Sequence, residues 1–158
     1  MKTLHLISQV PGLTSVLRVF FSGSVGSYSS GWVGNAEGLK GLARPVPGYL
    51  GLAAGMDKDA LAPAQFTAFG FAFVEVGTVT PRPQPGNDKP RLWRILPLRA
   101  VRNRMGFNNR GAEEIARRLR KLRSSRAGCS LVLGVNLGKN KTTALNDAVE
   151  DYRISARF

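Results

Sequence analysis

From residue 48 onward the chain alternates short apolar runs with helix-patterned segments, and each distinctive motif follows a run. Tyr49–Ala54 reads as a short buried strand and Ala60–Phe69 as a helix stopped by Gly70. Phe71–Val76 is a second strand, rich in aromatic and β-branched residues. A long loop holding Pro81, Pro83, Pro85 and Gly86 follows, stiffened by residues that no strand or helix absorbs. Arg110–Ser125 is the clearest helix, with Ile115, Leu119 and Leu122 as its apolar stripe. Leu131–Leu137 is a third strand, and Asn146–Phe158 begins a third helix. The order β-α-β-loop-α-β-α implies a parallel sheet with right-handed crossovers. Ligands of such sheets bind beyond the carboxyl ends of the strands.

The segment before residue 45 behaves differently. Residues 1–44 hold a single acid, Glu37, with many Ser and Gly. Leu6, Val10, Leu13, Leu17 and Phe20 recur at helical spacing, but Pro11 and Gly12 interrupt them. A loosely ordered arm, a membrane-facing amphipathic helix and an organellar transit peptide all fit this pattern. The expected organisation is therefore an arm, 1–44, and a folded domain, 45–158.

Composition narrows the chemistry. At 158 residues and 43% hydrophobic the chain is the size of one domain and can bury a core. His5 is the only histidine and Cys129 the only cysteine. A histidine-based triad, a histidine-rich metal site and an internal disulfide are thereby excluded. No run of about 18 apolar residues occurs, so no helix is expected to span a bilayer. The net charge of +13 favours an anionic partner or a basic, solvated surface. Arg117, Arg118, Arg120, Lys121 and Arg123 place much of that charge on one helix.

Three strand-end segments carry candidate chemistry. In Gly51–Asp59 small residues let a backbone approach a flat ligand, and Lys58 offers a compact positive charge. Lys58 is equally readable as a surface lysine beside Asp57, and Thr78 as a strand-end cap. Asn103–Asn109 combines three amides with a glycine and an aromatic, and amides can read a planar heterocycle from both edges. Asn108 could instead cap the helix that starts near Arg110. Asn136 lies in an apolar strand, where an amide needs a partner. The following Gly138-Lys-Asn-Lys141 lacks the spacing of a phosphate-binding loop.

At these residues the chain resembles the family-2, quinone-linked dihydroorotate dehydrogenases. The likeness rests on Gly51–Lys58, Glu75–Asn87, Asn103–Asn109, Gly134–Thr142 and Asp147–Tyr152. Its most specific stretch is Glu-Val-Gly-Thr-Val-Thr-Pro-Arg-Pro-Gln-Pro-Gly-Asn. The resemblance implies an FMN-containing (β/α)8 barrel that oxidises dihydroorotate to orotate in pyrimidine synthesis and passes electrons to a membrane quinone. It implies that Ala54, Gly55, Met56, Asp57, Lys58, Thr78 and Asn136 line the flavin. Lys58, with Asn103, Arg104, Met105, Gly106 and Phe107, would hold the substrate. In this chemistry a serine base removes one proton while hydride moves to flavin N5. Peripheral association with the cytoplasmic face of a bacterial membrane follows, or with a mitochondrial inner membrane if residues 1–44 are a transit peptide.

The sequence departs from the family pattern at several points. Arg102 stands where an aliphatic residue is usual, Tyr49 replaces a proline and Ala72 a glycine. Residues 1–44 do not visibly match the helical pair that forms the quinone tunnel. A full barrel needs roughly 250 residues, so the first three βα repeats of an incomplete (β/α)8 barrel are expected here. No catalytic base is assigned, because the family's serine falls beyond these repeats, and the chain is expected to be a fragment inactive alone. A non-catalytic remnant and a basic nucleic-acid-binding protein are the competing readings. No nucleic acid is expected, because neither a set of stacking aromatics nor a Gly-rich clamp is present.

Overall fold

The structure, a computed structural model, describes residues 50–158 together with Val16. The expectations for residues 1–44, and that for Tyr49, lie outside the described residues. Within them the alternation holds, with shorter elements: β1 (Gly51–Leu52), α1 (Pro63–Ala68), β2 (Phe73–Val79), β3 (Leu92–Ile95), β4 (Ala100–Asn103), α2 (Ala112–Arg123), α3 (Arg126–Cys129), β5 (Leu133–Leu137) and α4 (Ala148–Ala156). Strands β1, β2 and β5 form one parallel sheet with β2 in the centre. This is the strand–helix alternation expected of consecutive βα repeats.

The two faces of β2 divide the fold. Val74 and Val76 are fully buried and pack with Ala62, Phe66 and Ile115 in the hydrophobic core. Phe66 also meets Phe71 edge-on, with ring centroids 6.1 Å apart. A buried side chain of the size of Ile115 contributes about 1.5–3 kcal/mol relative to leaving it in water. Glu75 takes the opposite face, across from Gly134 of β5. The register between β2 and β5 shifts at Gly77/Val79. That irregularity turns Val79 into the core and leaves Thr78 beside Asn136. The sequence reading ended the second strand at Val76. The structure carries it to Val79, because β5 supplies partners beyond the point where the apolar run gives way to Gly and Thr.

Helix α2 starts and ends as its charges dictate. Glu113 and Glu114 occupy its first turn, and Arg120, Lys121 and Arg123 its last. Ile115 is buried and Leu119 packs against the core. Arg117, Arg120, Lys121 and Arg123 face solvent, so much of the excess charge is a solvated surface. Arg117 and Arg118 both pair with Glu114, at 2.8 and 2.9 Å. Helix α1 opens with Pro63 in its first turn, where a missing N–H costs nothing.

The segment read as one long loop contains a hairpin. Strands β3 and β4 pair antiparallel, Leu92 with Asn103 and Ile95 with Ala100. Their turn, Leu96–Arg99, carries no Asn-Gly or Asp-Gly signal. Arg99 itself takes the left-handed conformation at φ 47° that such residues normally supply. Asn103 is consequently a strand residue rather than part of the loop.

Candidate functional site

The ends of β1, β2 and β5 meet through their backbones. Gly55 N–H donates to the Gly77 carbonyl (2.8 Å), and Gly77 N–H to the Asp57 carbonyl (3.2 Å). Gly138 N–H donates to the Val79 carbonyl (2.8 Å). Glycine is required at the centre of this junction. At Gly77 (φ +110°) a Cβ would fall 2.5 Å from the Asn136 carbonyl oxygen. At Gly55 (φ +110°) a Cβ would meet nothing within 4 Å, so the backbone there faces open space.

Asp57 is the buried support of the first loop. Its two carboxylate oxygens accept from Leu61 N–H (2.8 Å) and Ala62 N–H (2.9 Å). Burial pushes its carboxyl above the usual range, and those two N–H groups oppose the shift. Asp57 therefore acts on the turn, while its neighbour Lys58 reaches outward. Lys58 Nζ donates to Asn108 Oδ1 at 2.9 Å. Burial lowers the Lys58 pKa below its ordinary value, and the nearby Arg91 charge adds to this against the pull of Asp59.

On the polar face of the sheet a short chain of side chains forms. Thr78 Oγ1 donates to Asn136 Oδ1 (2.6 Å), and Asn136 Nδ2 donates to Glu75 Oε1 (3.2 Å). The amide in the apolar strand thus has its partners. Gly138 sits against Thr78 and Phe107: a Cβ there would lie 2.6 Å from Thr78 Cγ2 and 3.5 Å from the Phe107 ring. Residues expected at one ligand site from three separate segments are therefore close neighbours.

The Arg104–Phe107 segment is held by its carbonyls. Asn87 Nδ2 donates to the Arg104 carbonyl (2.9 Å), and Asn87 N–H to that of Met105 (3.1 Å). Gln84 Nε2 donates to the carbonyls of Gly106 (3.1 Å) and Phe107 (3.3 Å), and Asn109 Nδ2 also to Phe107 (2.7 Å). The N–H groups of Met105, Gly106 and Phe107 have no partner among the described residues. The Arg104 guanidinium lies 5.5 Å from the Trp93 ring and donates to the Pro90 carbonyl (3.4 Å), so Arg104 contributes backbone here rather than charge. Asn103 is exposed on β4.

Several residues that organise this surface escaped the sequence reading. Asn140 accepts from Arg82 N–H (3.1 Å) and donates to the Arg82 carbonyl (2.8 Å) and Gln84 Oε1 (3.0 Å). Asp151 of α4 accepts from Asn140 N–H at 2.7 Å. Burial acts upward on the Asp151 carboxyl, but bonds from Thr143 and Asn140 and the charges of Arg82 and Lys139 hold it below its usual value. The signal available was amides in Pro-rich and Gly-rich loops, which have few backbone partners of their own. Asn108 does not cap α2: the N-cap is Gly111, whose N–H donates to Asn109 Oδ1 (2.8 Å). A cavity of about 450 Å3 opens beside Asn108, with Asp59, Gln84 and Arg91 in its wall and neither Thr78 nor Asn136.

Fold and site together define a parallel α/β unit of the barrel class, with polar groups gathered at the carboxyl ends of its strands. The chain belongs to the dihydroorotate dehydrogenase family, whose model matches residues 42–158. It is 64% identical over 118 residues to a Thermus thermophilus protein named dihydroorotate dehydrogenase (quinone), covering 75% of this chain and 33% of that protein. A protein of the same name from Kineococcus radiotolerans is 57% identical over 118 residues, with 75% and 32% covered. Among solved structures, ligand-free DHODH from Eimeria tenella superposes with a TM-score of 0.64 at 45% identity, over 72% of this chain and 32% of that one. The complex of that enzyme with ferulenol gives 0.63 at 46% identity, over 70% and 30%. The chain thus spans about a third of the length of the curated relatives it matches.

Proposed function

We propose that this chain forms one wall of the active site of a quinone-linked dihydroorotate dehydrogenase. The observation that carries this reading is the Lys58–Asn108 contact, which joins two strand-end loops around one cation. Dihydroorotate and orotate are planar or nearly planar imides bearing a carboxylate. Lys58 and the unpaired N–H groups of Met105, Gly106 and Phe107 suit that carboxylate, and the amides of Asn103 and Asn108 suit the imide edge.

The same surface fits FMN. The open backbone at Gly55 leaves room for a flat ring, and Lys58, Thr78 and Asn136 offer a cation, a hydroxyl and an amide beside it. Ala54, Gly55, Met56, Asp57 and Lys58 would hold the flavin from one side, Thr78 and Asn136 from the other. FMN, when bound, supplies the two-electron acceptor for oxidation of the substrate. Lys58 holds negative charge at the reacting edge, and Asp57 fixes the turn that presents Lys58. No described residue is assigned as the base. The quinone in the relatives' names suggests the final acceptor, and with it peripheral attachment to the cytoplasmic face of a bacterial membrane, or to a mitochondrial inner membrane. No described helix is long and apolar enough to cross a membrane.

The test is reconstitution of the 158-residue chain with FMN, followed by its visible absorbance and by calorimetric titration with orotate. Retention of FMN, and orotate binding lost in Lys58→Met, supports the reading. A folded chain that takes up neither ligand would sink it. Tight, steeply salt-dependent RNA binding would favour the nucleic-acid alternative instead.

A further inference from the structure

Strands of a parallel sheet are normally covered on both faces, and β5 is covered incompletely on one. Its side chains alternate, so Val135 and Leu137 turn away from Asn136 toward the helices. Val135 stays 44% exposed there, and Phe158, just past α4, stays 49% exposed. Between α2, β5 and the end of α4 lies a cavity of about 330 Å3, with Leu119, Leu137 and Phe158 in its apolar wall. About 150 Å3 already admits a benzene-sized guest, so this space suits a larger one.

The wall also carries polar groups of one kind. Ser155 lines the cavity and is 7% exposed, and its buried Oγ has no hydrogen-bond partner among the described residues. A helical serine can bond a carbonyl one turn back, so a hydroxyl buried without a partner is a standing cost to the fold. Arg120 and Arg123 of α2 line the same cavity, and no acidic side chain does. Arg120 reaches over to donate to the Phe158 carbonyl (2.9 Å), and Arg123 donates to those of Gly128, Cys129 and Leu131. Among the described residues those bonds use one nitrogen of each guanidinium, and the other N–H donors remain available. Positive charge and an unpaired hydroxyl therefore border an apolar hollow. Water fills such a hollow poorly, since a held water needs several polar partners.

We propose that this cavity binds a small organic anion with an apolar body. The body would lie against Leu119, Leu137 and Phe158, its carboxylate would meet Arg120 and Arg123, and Ser155 Oγ would gain a hydrogen-bond partner. A guanidinium at the rim of an apolar site is where a carboxylate forms a strong, charge-assisted bond. An aromatic ring and a short alkyl chain share this chemistry, and titration separates them. The hollow lies on the opposite side of β5 from Asn136 and its partner Thr78. Binding there needs neither flavin nor dihydroorotate, so it stands apart from the functional reading and can fail separately.

The experiment is calorimetric titration of the full chain with octanoate, naphthoate, acetate and octanol. Saturable binding of an apolar carboxylate at a single site is expected, and the tighter of octanoate and naphthoate tells chain from ring. Acetate lacks the body and octanol the charge, so each should bind at least ~10-fold more weakly. Arg120→Gln should weaken carboxylate binding about 10-fold. Ser155→Ala should weaken it about 5-fold, with thermal unfolding unchanged or higher because the buried hydroxyl is gone. Ala116→Leu places a larger side chain in the cavity and should abolish binding. Where that residue disturbs the fold, Ser155→Ala reads the same site. The proposal is overturned if neither apolar carboxylate binds, or if acetate or octanol binds as tightly. It is overturned equally if the variants, folded by circular dichroism, all bind like the parent.

Discussion

Gln84 bridges the Pro-rich loop and the Gly106–Phe107 peptide: its Nε2 donates to the carbonyls of both residues while its Oε1 accepts from Asn140 Nδ2. The unpaired N–H groups of that segment are therefore aimed by hydrogen bonds to its carbonyls. The relay continues through Asn140 to the buried Asp151 of α4. The segment proposed to hold substrate is thus tied to a helix packed outside the sheet.

Gln84→Leu should release that segment. Loss of its bonds leaves the Gly106 carbonyl without a partner and takes one bond each from Phe107, Asn140 and Lys141, at about 1–3 kcal/mol. Urea unfolding measures the stability, and hydrogen exchange at Met105–Phe107 should quicken. Unchanged exchange there would show that the segment holds itself.

Lys58→Met should weaken orotate binding by about 10-fold or more, the usual worth of a charge-assisted hydrogen bond. Calorimetric titration reads it directly. Asn108→Ala should cost less, because it loosens the ammonium without removing it. Equal affinity in Lys58→Met and the parent would place the carboxylate elsewhere.

Gly77→Ala should destabilise the fold by about 3 kcal/mol or more. The new methyl combines a strained positive φ with a 2.5 Å approach to a β5 carbonyl. Urea titration with an unchanged m-value would isolate the effect. A neutral outcome would mean that β2 and β5 separate easily at this point.

Asp151 sets a pH dependence. Its folded pKa is held below the ordinary 3.8, so the native state binds its proton less readily than the unfolded chain. Its contribution is therefore fully present above the ordinary carboxylate value and is lost as pH falls through the folded one. Acid should loosen the loop around Asn140 before the core melts. Asp151→Asn should flatten that part of the stability profile, followed by circular dichroism against pH.

Much of the fold was legible because it is locally encoded. Ile115 and Leu119 repeat at helical spacing, and Val74 and Val76 alternate as a strand does, so the pattern of burial follows from the residues themselves. The hairpin was not legible. Leu92–Ile95 and Ala100–Asn103 alternate weakly, and Arg99 fills a left-handed position that sequence assigns to Gly or Asn. The extent of β2 was missed for a related reason, since its last residues are held by β5 rather than by their own propensity.

The sequence by itself determined the strand–helix alternation and the residues clustered after each strand, including Gly51–Asp59 and Asn103–Asn109. Those are properties of neighbours along the chain. Only the tertiary structure decided who meets whom: Lys58 with Asn108 across 50 residues, and Thr78 with Asn136 across 58. It also gave Asn109 the Gly111 N–H just ahead of α2, and gave Asn108 to Lys58. A side chain's type states what it can donate or accept. Its partner is chosen by where parallel strands bring their ends together, which no spacing along the sequence records.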